Sequence, residues 1–195
     1  IRDRSVSRGL GDVYKRQPLP VPVVYNCGGY ESVHTVAFLR KKVQCWLPDL
    51  KYYDAEISGK YSDAPDYFER ASAAIEQMFK ETGPYVIGAD GILQRGVLIR
   101  HLILPGQVED TKRILEYVAE TFEPGDVLFS LMRQYTPCGR AAEFPEIDRR
   151  ITDEEYEACE SYMEELGIID GYVQQKESAE AAFIPAFDGT GVLKS

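Results

Sequence analysis

An α/β fold with a parallel sheet is predicted by two features of this sequence. Short apolar, β-branched runs alternate with segments of helical periodicity, and each run closes on a polar or glycine-bearing cluster. Five main strands and four intervening helices can be read between Val21 and Gln174. There is no long β-meander, so the strands are joined by right-handed crossovers. At 195 residues with 44% hydrophobic content, the chain can bury one sizeable core.

The first strand is the run PVPVVYN, ended by the turn Cys27-Gly28-Gly29. Residues 32–43 place Val33, Val36 and Leu39 at helical spacing, with basic residues in the last turn. QCWLPDLK is the second strand, followed by a connecting stretch over residues 52–65. Asp66 stands where it could cap a helix running to Gly83. Ala89-Asp90-Gly91 is a turn signal for a small hairpin insertion. GVLIRHLILPG is the third main strand, stopped by Pro105-Gly106. Residues 108–122 form an amphipathic helix with Ile114, Leu115, Val118 and Phe122 on one face. DVLFSLMRQY is the fourth strand. After a loop, Thr152 and Glu155 make a capping box for a helix whose stripe is Tyr156, Cys159, Met163 and Leu166. GYVQ is the fifth strand, and the segment from Phe183 reads as loop. A closed (β/α)₈ barrel would need about three more units upstream.

Residues 1–17 run against the rest of the chain. They carry five basic residues and two acids, whereas the whole chain has a net charge of −10. The peptide SRGLGDVYKRQ is similar to a translated sequencing-library adapter. Residues 1–17 are therefore expected to be an artefactual or disordered leader, with native sequence beginning near Pro18 and further gene sequence lost upstream. The organisation expected is a leader (1–17), one barrel-type domain (18–188) and a tail (189–195).

Charge and composition exclude several classes. The basic residues are scattered among acids, which argues against a nucleic-acid-binding face. No stretch approaches the ~18 consecutive apolar residues of a membrane span, and no secretory signal is visible. Cys27, Cys45, Cys138 and Cys159 lie far apart without a C-x-x-C pair, which disfavours a zinc site and fits a reduced, cytoplasmic setting.

In a parallel α/β layout functional groups gather at the C-terminal strand ends. Polar clusters fall there repeatedly: Asn26-Cys27-Gly28-Gly29, Asp49-Leu50-Lys51, and Gln134-Tyr135-Thr136, with Arg100 and His101 inside the third strand. Asp49 and Lys51 are two apart, so their side chains share one face. They can hold a polar ligand or merely pair across the barrel mouth. His101 is one of two histidines, and in an apolar strand a structural role competes with a functional one. Arg100 should face the opposite way from it. Gly28 and Gly29 could bring backbone amides near a ligand but match no phosphate-loop pattern.

The ordered set PVVYNCGGYES, LPDLKYYD, GVLIRHLILPG and SLMRQYTPCG resembles the later strands of radical S-adenosylmethionine (SAM) proteins, closest to those similar to pyruvate formate-lyase activating enzymes. The resemblance implies the C-terminal half, about five β/α units, of a partial (β/α) TIM-like barrel. It also implies a [4Fe-4S] cluster on an upstream C-x-x-x-C-x-x-C motif and reductive cleavage of SAM to a 5′-deoxyadenosyl radical for hydrogen abstraction. By the same resemblance Asp49 and Lys51 help place SAM, and His101 lies on a strand that contacts it. Asn26 departs from the acidic residue that activating enzymes carry there, so it is expected to meet SAM itself rather than a cation. A glycyl radical enzyme or other protein substrate, and flavodoxin or ferredoxin as reductant, are the partners implied. No cluster motif is present in the chain, so this fragment alone is expected to be inactive. The rival reading is a non-catalytic half-barrel that binds a small ligand or forms a homodimer. An aldolase-type barrel using Lys51 as a Schiff-base amine is disfavoured by the acid two residues away.

Overall fold

The alternation of strand and helix becomes a five-stranded parallel sheet in a computed structural model that describes residues 21–173. The strands are β1 (Val24–Cys27), β2 (Cys45–Pro48), β4 (Leu93–Leu102), β5 (Leu128–Met132) and β6 (Gly171–Val173), hydrogen-bonded in that order and all parallel. The two-residue strand β3 (Val86–Ile87) pairs antiparallel with the start of β4, forming the hairpin insertion expected around Asp90. Asp90 holds the turn by accepting from the Ile92 amide. The readings of residues 1–17 as a leader, of residues 174–188 as the end of the barrel-type domain and of residues 189–195 as a tail lie outside the described residues.

Strand order follows chain order, so every crossover steps the same way. With right-handed crossovers this puts the helices on one face of the sheet, as in the wall of a barrel. The helices are α1 (Val33–Leu39), α2 (Ala55–Ser62), α3 (Tyr67–Thr82), α4 (Val108–Thr121) and α5 (Asp153–Glu165). Helix α1 packs on α3 and α4 on α5, while Phe68 and Phe79 of α3 meet Tyr117 and Phe122 edge-on. Under this row the strands alternate beyond their first buried pairs, Cys45–Trp46 and Leu128–Phe129. Trp46, Leu50, Val97, Ile99, Ile103, Phe129 and Leu131 are fully enclosed against Ile75, Met78, Ile114 and Leu115. Each such side chain contributes roughly 1.5–3 kcal/mol on burial. The intervening positions, among them Asn26, Leu47, Asp49, Arg100, Leu102 and Met132, are less buried and belong to the sheet's other face.

Three expectations are corrected locally. Helix α1 stops at Leu39 rather than near Val43, because the Arg40 amide turns back to the Ala37 carbonyl and Lys41 takes a left-handed conformation. The connecting stretch contains α2, capped by the Asp54 carboxylate on the Glu56 and Ile57 amides. Asp66 precedes α3 but makes no cap bond; its carboxylate accepts instead from Tyr30 and Arg70. The capping box at Thr152 and Glu155 forms as expected.

Candidate functional site

Parallel register sets Asp49 opposite Arg100, where an isolated bridge extends the β2–β4 ladder beyond Pro48. Both side chains leave the helix-free face, and Arg100 Nη2 donates to Asp49 Oδ1 at 2.5 Å. Lys51 Nζ lies 3.7 Å from Asp49 Oδ2. One carboxylate is thus shared by two cations, with Asp49 and Arg100 largely enclosed and Lys51 half open. These groups border a cavity of about 320 Å³, whose wall also includes Leu102, Met132 and Gln134 from the C-terminal ends of β4 and β5. A small ligand with charged and apolar parts suits a cavity of this size and lining.

Two polar atoms on its lining residues, Arg100 Nε and Gln134 Oε1, are buried without a hydrogen-bond partner among the described residues. Leaving such groups unsatisfied costs roughly 1–3 kcal/mol each, so a polar ligand that met them would recover that cost.

Of the residues expected from sequence, the structure brings Asp49 and Lys51 together. Asn26 is exposed on β1 beside Leu47 and does not line the cavity. His101 points to the helix side and is 1% exposed. Its Nδ1 lies 2.7 Å from the Leu50 carbonyl and its Nε2 2.9 Å from the Thr111 hydroxyl. A carbonyl can only accept, so Nδ1 carries the proton and Nε2 accepts from Thr111. Burial lowers the His101 pKa from 6.5 to about 4, so the ring is neutral at neutral pH.

Arg100 and Tyr67 were not among the expected site residues. The opposite facing of Arg100 and His101 was legible from strand parity, but that Arg100 is the one on the cavity side was not. Tyr67 gave no signal: it opens α3, is 4% exposed, and its hydroxyl accepts from the Lys51 amide at 3.1 Å. The same hydroxyl lies 2.9 Å from both the Gly28 and Asp49 carbonyl oxygens, which share its proton. Gly29, at φ +82°, passes so close that a Cβ there would lie 2.0 Å from the Asp49 carbonyl oxygen. A Cβ on Gly28 would be 3.9 Å from Lys51 Nζ, so the end of β1 borders the lysine.

The cysteines offer no metal centre. Among the described residues no group of three His, Cys, Asp or Glu side chains could hold a metal ion, so an iron-sulfur cluster does not fit them. All four cysteines are free. Burial raises the thiol pKa of Cys27, Cys45 and Cys159, the last to about 11, which suits inert packing rather than nucleophilic attack.

No family model matches the chain. An uncharacterized protein of Methanocaldococcus jannaschii is 28% identical over 140 residues, covering 70% of this chain. The chain spans about a third (36%) of that relative's length. A crystal structure of a domain of pyruvate-formate lyase-activating enzyme from Bacteroides vulgatus is 16% identical, with a TM-score of 0.49. The match covers 73% of this chain and 74% of that one, and falls short of establishing a common fold. No helix among the described residues is long and apolar enough to cross a membrane.

Proposed function

We propose that the cavity between Asp49, Lys51 and Arg100 binds SAM, and that the chain supplies the later strands of a radical SAM barrel. The observation that carries this reading is the convergence of one acid and two cations at the C-terminal ends of parallel strands. Asp49 and Lys51 lie on the Asp-Leu-Lys motif, and Arg100 on the GVLIRHLILPG strand, through which the sequence resembles that superfamily. Lys51 and Arg100 would hold an anionic group and Asp49 an ammonium, while Leu102 and Met132 would cover apolar parts of the ligand. Bound SAM supplies a sulfonium whose carbon–sulfur bond can be cleaved reductively. The cluster that the resemblance implies would be held outside the described residues.

In the whole protein we infer activation of a glycyl radical enzyme, or hydrogen abstraction from another protein, with flavodoxin or ferredoxin as reductant. That finer reading rests on the order of the sequence motifs alone. Four free cysteines support a reduced, cytoplasmic setting.

Calorimetric titration of the chain with SAM tests the reading. Saturable binding is expected, and Asp49→Asn, Lys51→Met and Arg100→Met should each weaken it at least about tenfold, or roughly 1.4 kcal/mol. His34→Ala, an exposed change on α1, should leave it unaltered. A folded protein showing no saturable binding would sink the reading and favour a half-barrel that takes a different ligand or pairs with a second copy.

A further inference from the structure

We propose that Tyr67 and His101 are positioning residues. From the helix side of the sheet they hold the Asp49-Leu50-Lys51 backbone in the conformation that turns both charged side chains into the cavity. This rests on the reading of that cavity as a binding site.

Strand β2 ends at Pro48, so the tripeptide that follows must be held by other means. Each backbone polar group from the Asp49 amide to the Lys51 amide has a partner. The Asp49 amide donates to the Cys27 carbonyl at 2.9 Å, and the Leu50 amide to the Arg100 carbonyl at 2.8 Å. The remaining three are taken by two side chains. Tyr67 serves the Asp49 carbonyl and the Lys51 amide, and His101 serves the Leu50 carbonyl.

The arrangement works by parity. Leu50 is fully buried on the helix side, so Asp49 and Lys51 are turned to the opposite face. A flip of either flanking peptide would swing Lys51 away from Asp49; Tyr67 opposes both flips, through the Asp49 carbonyl and the Lys51 amide, and His101 opposes the second through the Leu50 carbonyl. Both side chains are themselves held. Tyr67 stacks on Tyr30 with centroids 6.0 Å apart and meets Tyr52 edge-on at 5.4 Å. The His101 ring is fixed from behind by Thr111, which is 1% exposed. Tyr67 also reaches the Gly28 carbonyl, so one hydroxyl joins the β1 end to the β2 end. Fixing a charged pair in its binding geometry before the ligand arrives lowers the ordering cost of binding.

The test combines residue-resolved amide hydrogen exchange with SAM titration on the full chain. Tyr67→Phe keeps the ring contacts and removes only the hydroxyl. It should speed exchange at the Lys51 amide at least tenfold, leave α4 amides such as Ile114 unchanged, and weaken SAM about tenfold. His101→Leu should weaken SAM similarly, and His101→Asn, which can still donate to the Leu50 carbonyl, should recover most of the loss. A uniform loss of protection would mark a merely structural role and overturn the proposal. So would Tyr67→Phe and His101→Leu proteins that exchange and bind like the parent. If the parent itself does not bind SAM but the Lys51 amide responds as expected, the ligand assignment fails and the positioning stands.

Discussion

Gly28 and Gly29 are neighbours held by different constraints. Gly29 sits at φ +82°, and a Cβ there would meet the Asp49 carbonyl oxygen at 2.0 Å. Gly29→Ala therefore combines left-handed strain with a backbone clash. It should cost about 3 kcal/mol or more in chemical denaturation. Gly28→Ala should be within about 0.5 kcal/mol of the parent, because its Cβ would touch only the mobile end of Lys51. Equal effects at the two positions would refute this account. In sequence the pair suggested backbone amides approaching a ligand; in the fold the second glycine is needed for β1 to approach β2. The same scale explains what was and was not legible at the site. Asp49 and Lys51 followed from their spacing, and the Arg100–His101 parity was stated, but which of the two faced the cavity depended on where the helices lay. Tyr67 acts from a helix 16 residues beyond Lys51, and no local pattern announces such a bond.

Long helices with a wide apolar stripe were readable, whereas α2 and the 3₁₀ turn, which lack one, were not. Helices α3, α4 and α5 each bury a regular set, Ala71–Ile75–Met78 in the first and Ile114–Leu115–Val118 in the second. Helix α2 buries only Ser58 and carries Gly59 in its middle, so it depends on the Asp54 cap and on contacts to its neighbours. The 3₁₀ turn at Gly139–Glu143 likewise has a single buried residue, Ala141. The capping box of α5 was legible, but its reach was not. Glu155 accepts from the Thr152 amide, from the Gly106 amide in the loop after β4, and from two nitrogens of Arg149. One carboxylate thus ties the α5 start to the β4–α4 loop. Glu155→Ala should cost about 1–3 kcal/mol, more than the roughly 1 kcal/mol expected for Thr152→Ala. A thermal-unfolding comparison that ranks the two the other way would contradict the tie.

At the scale of the molecule, alternation in sequence foretold a parallel sheet with right-handed crossovers, while its monotonic strand order was implied only by the resemblance to a barrel. The sheet edge at β1 carries exposed Val24, and Phe38 on α1 is also exposed. The enclosed side is where global stability is decided, and it contains a neutral histidine. Unfolded His101 takes a proton near 6.5, and the folded ring only near 4. Its contribution is therefore complete above 6.5 and is lost as pH falls towards 4, by about 2 kcal/mol at pH 5. Acid groups act in a lower window. Glu155 and Glu146, held near 2 by Arg149 and Lys60 respectively, support the fold above 4.5 and release it as pH drops towards 2. Asp110 opposes them, since burial raises its pKa and the folded state takes its proton first. Urea denaturation at pH 7 and pH 5 separates these contributions. The parent should lose about 2 kcal/mol between the two, whereas His101→Asn, with no titrating ring, should lose much less. An equal loss in both proteins would mean that His101 is not the group whose protonation undermines the core.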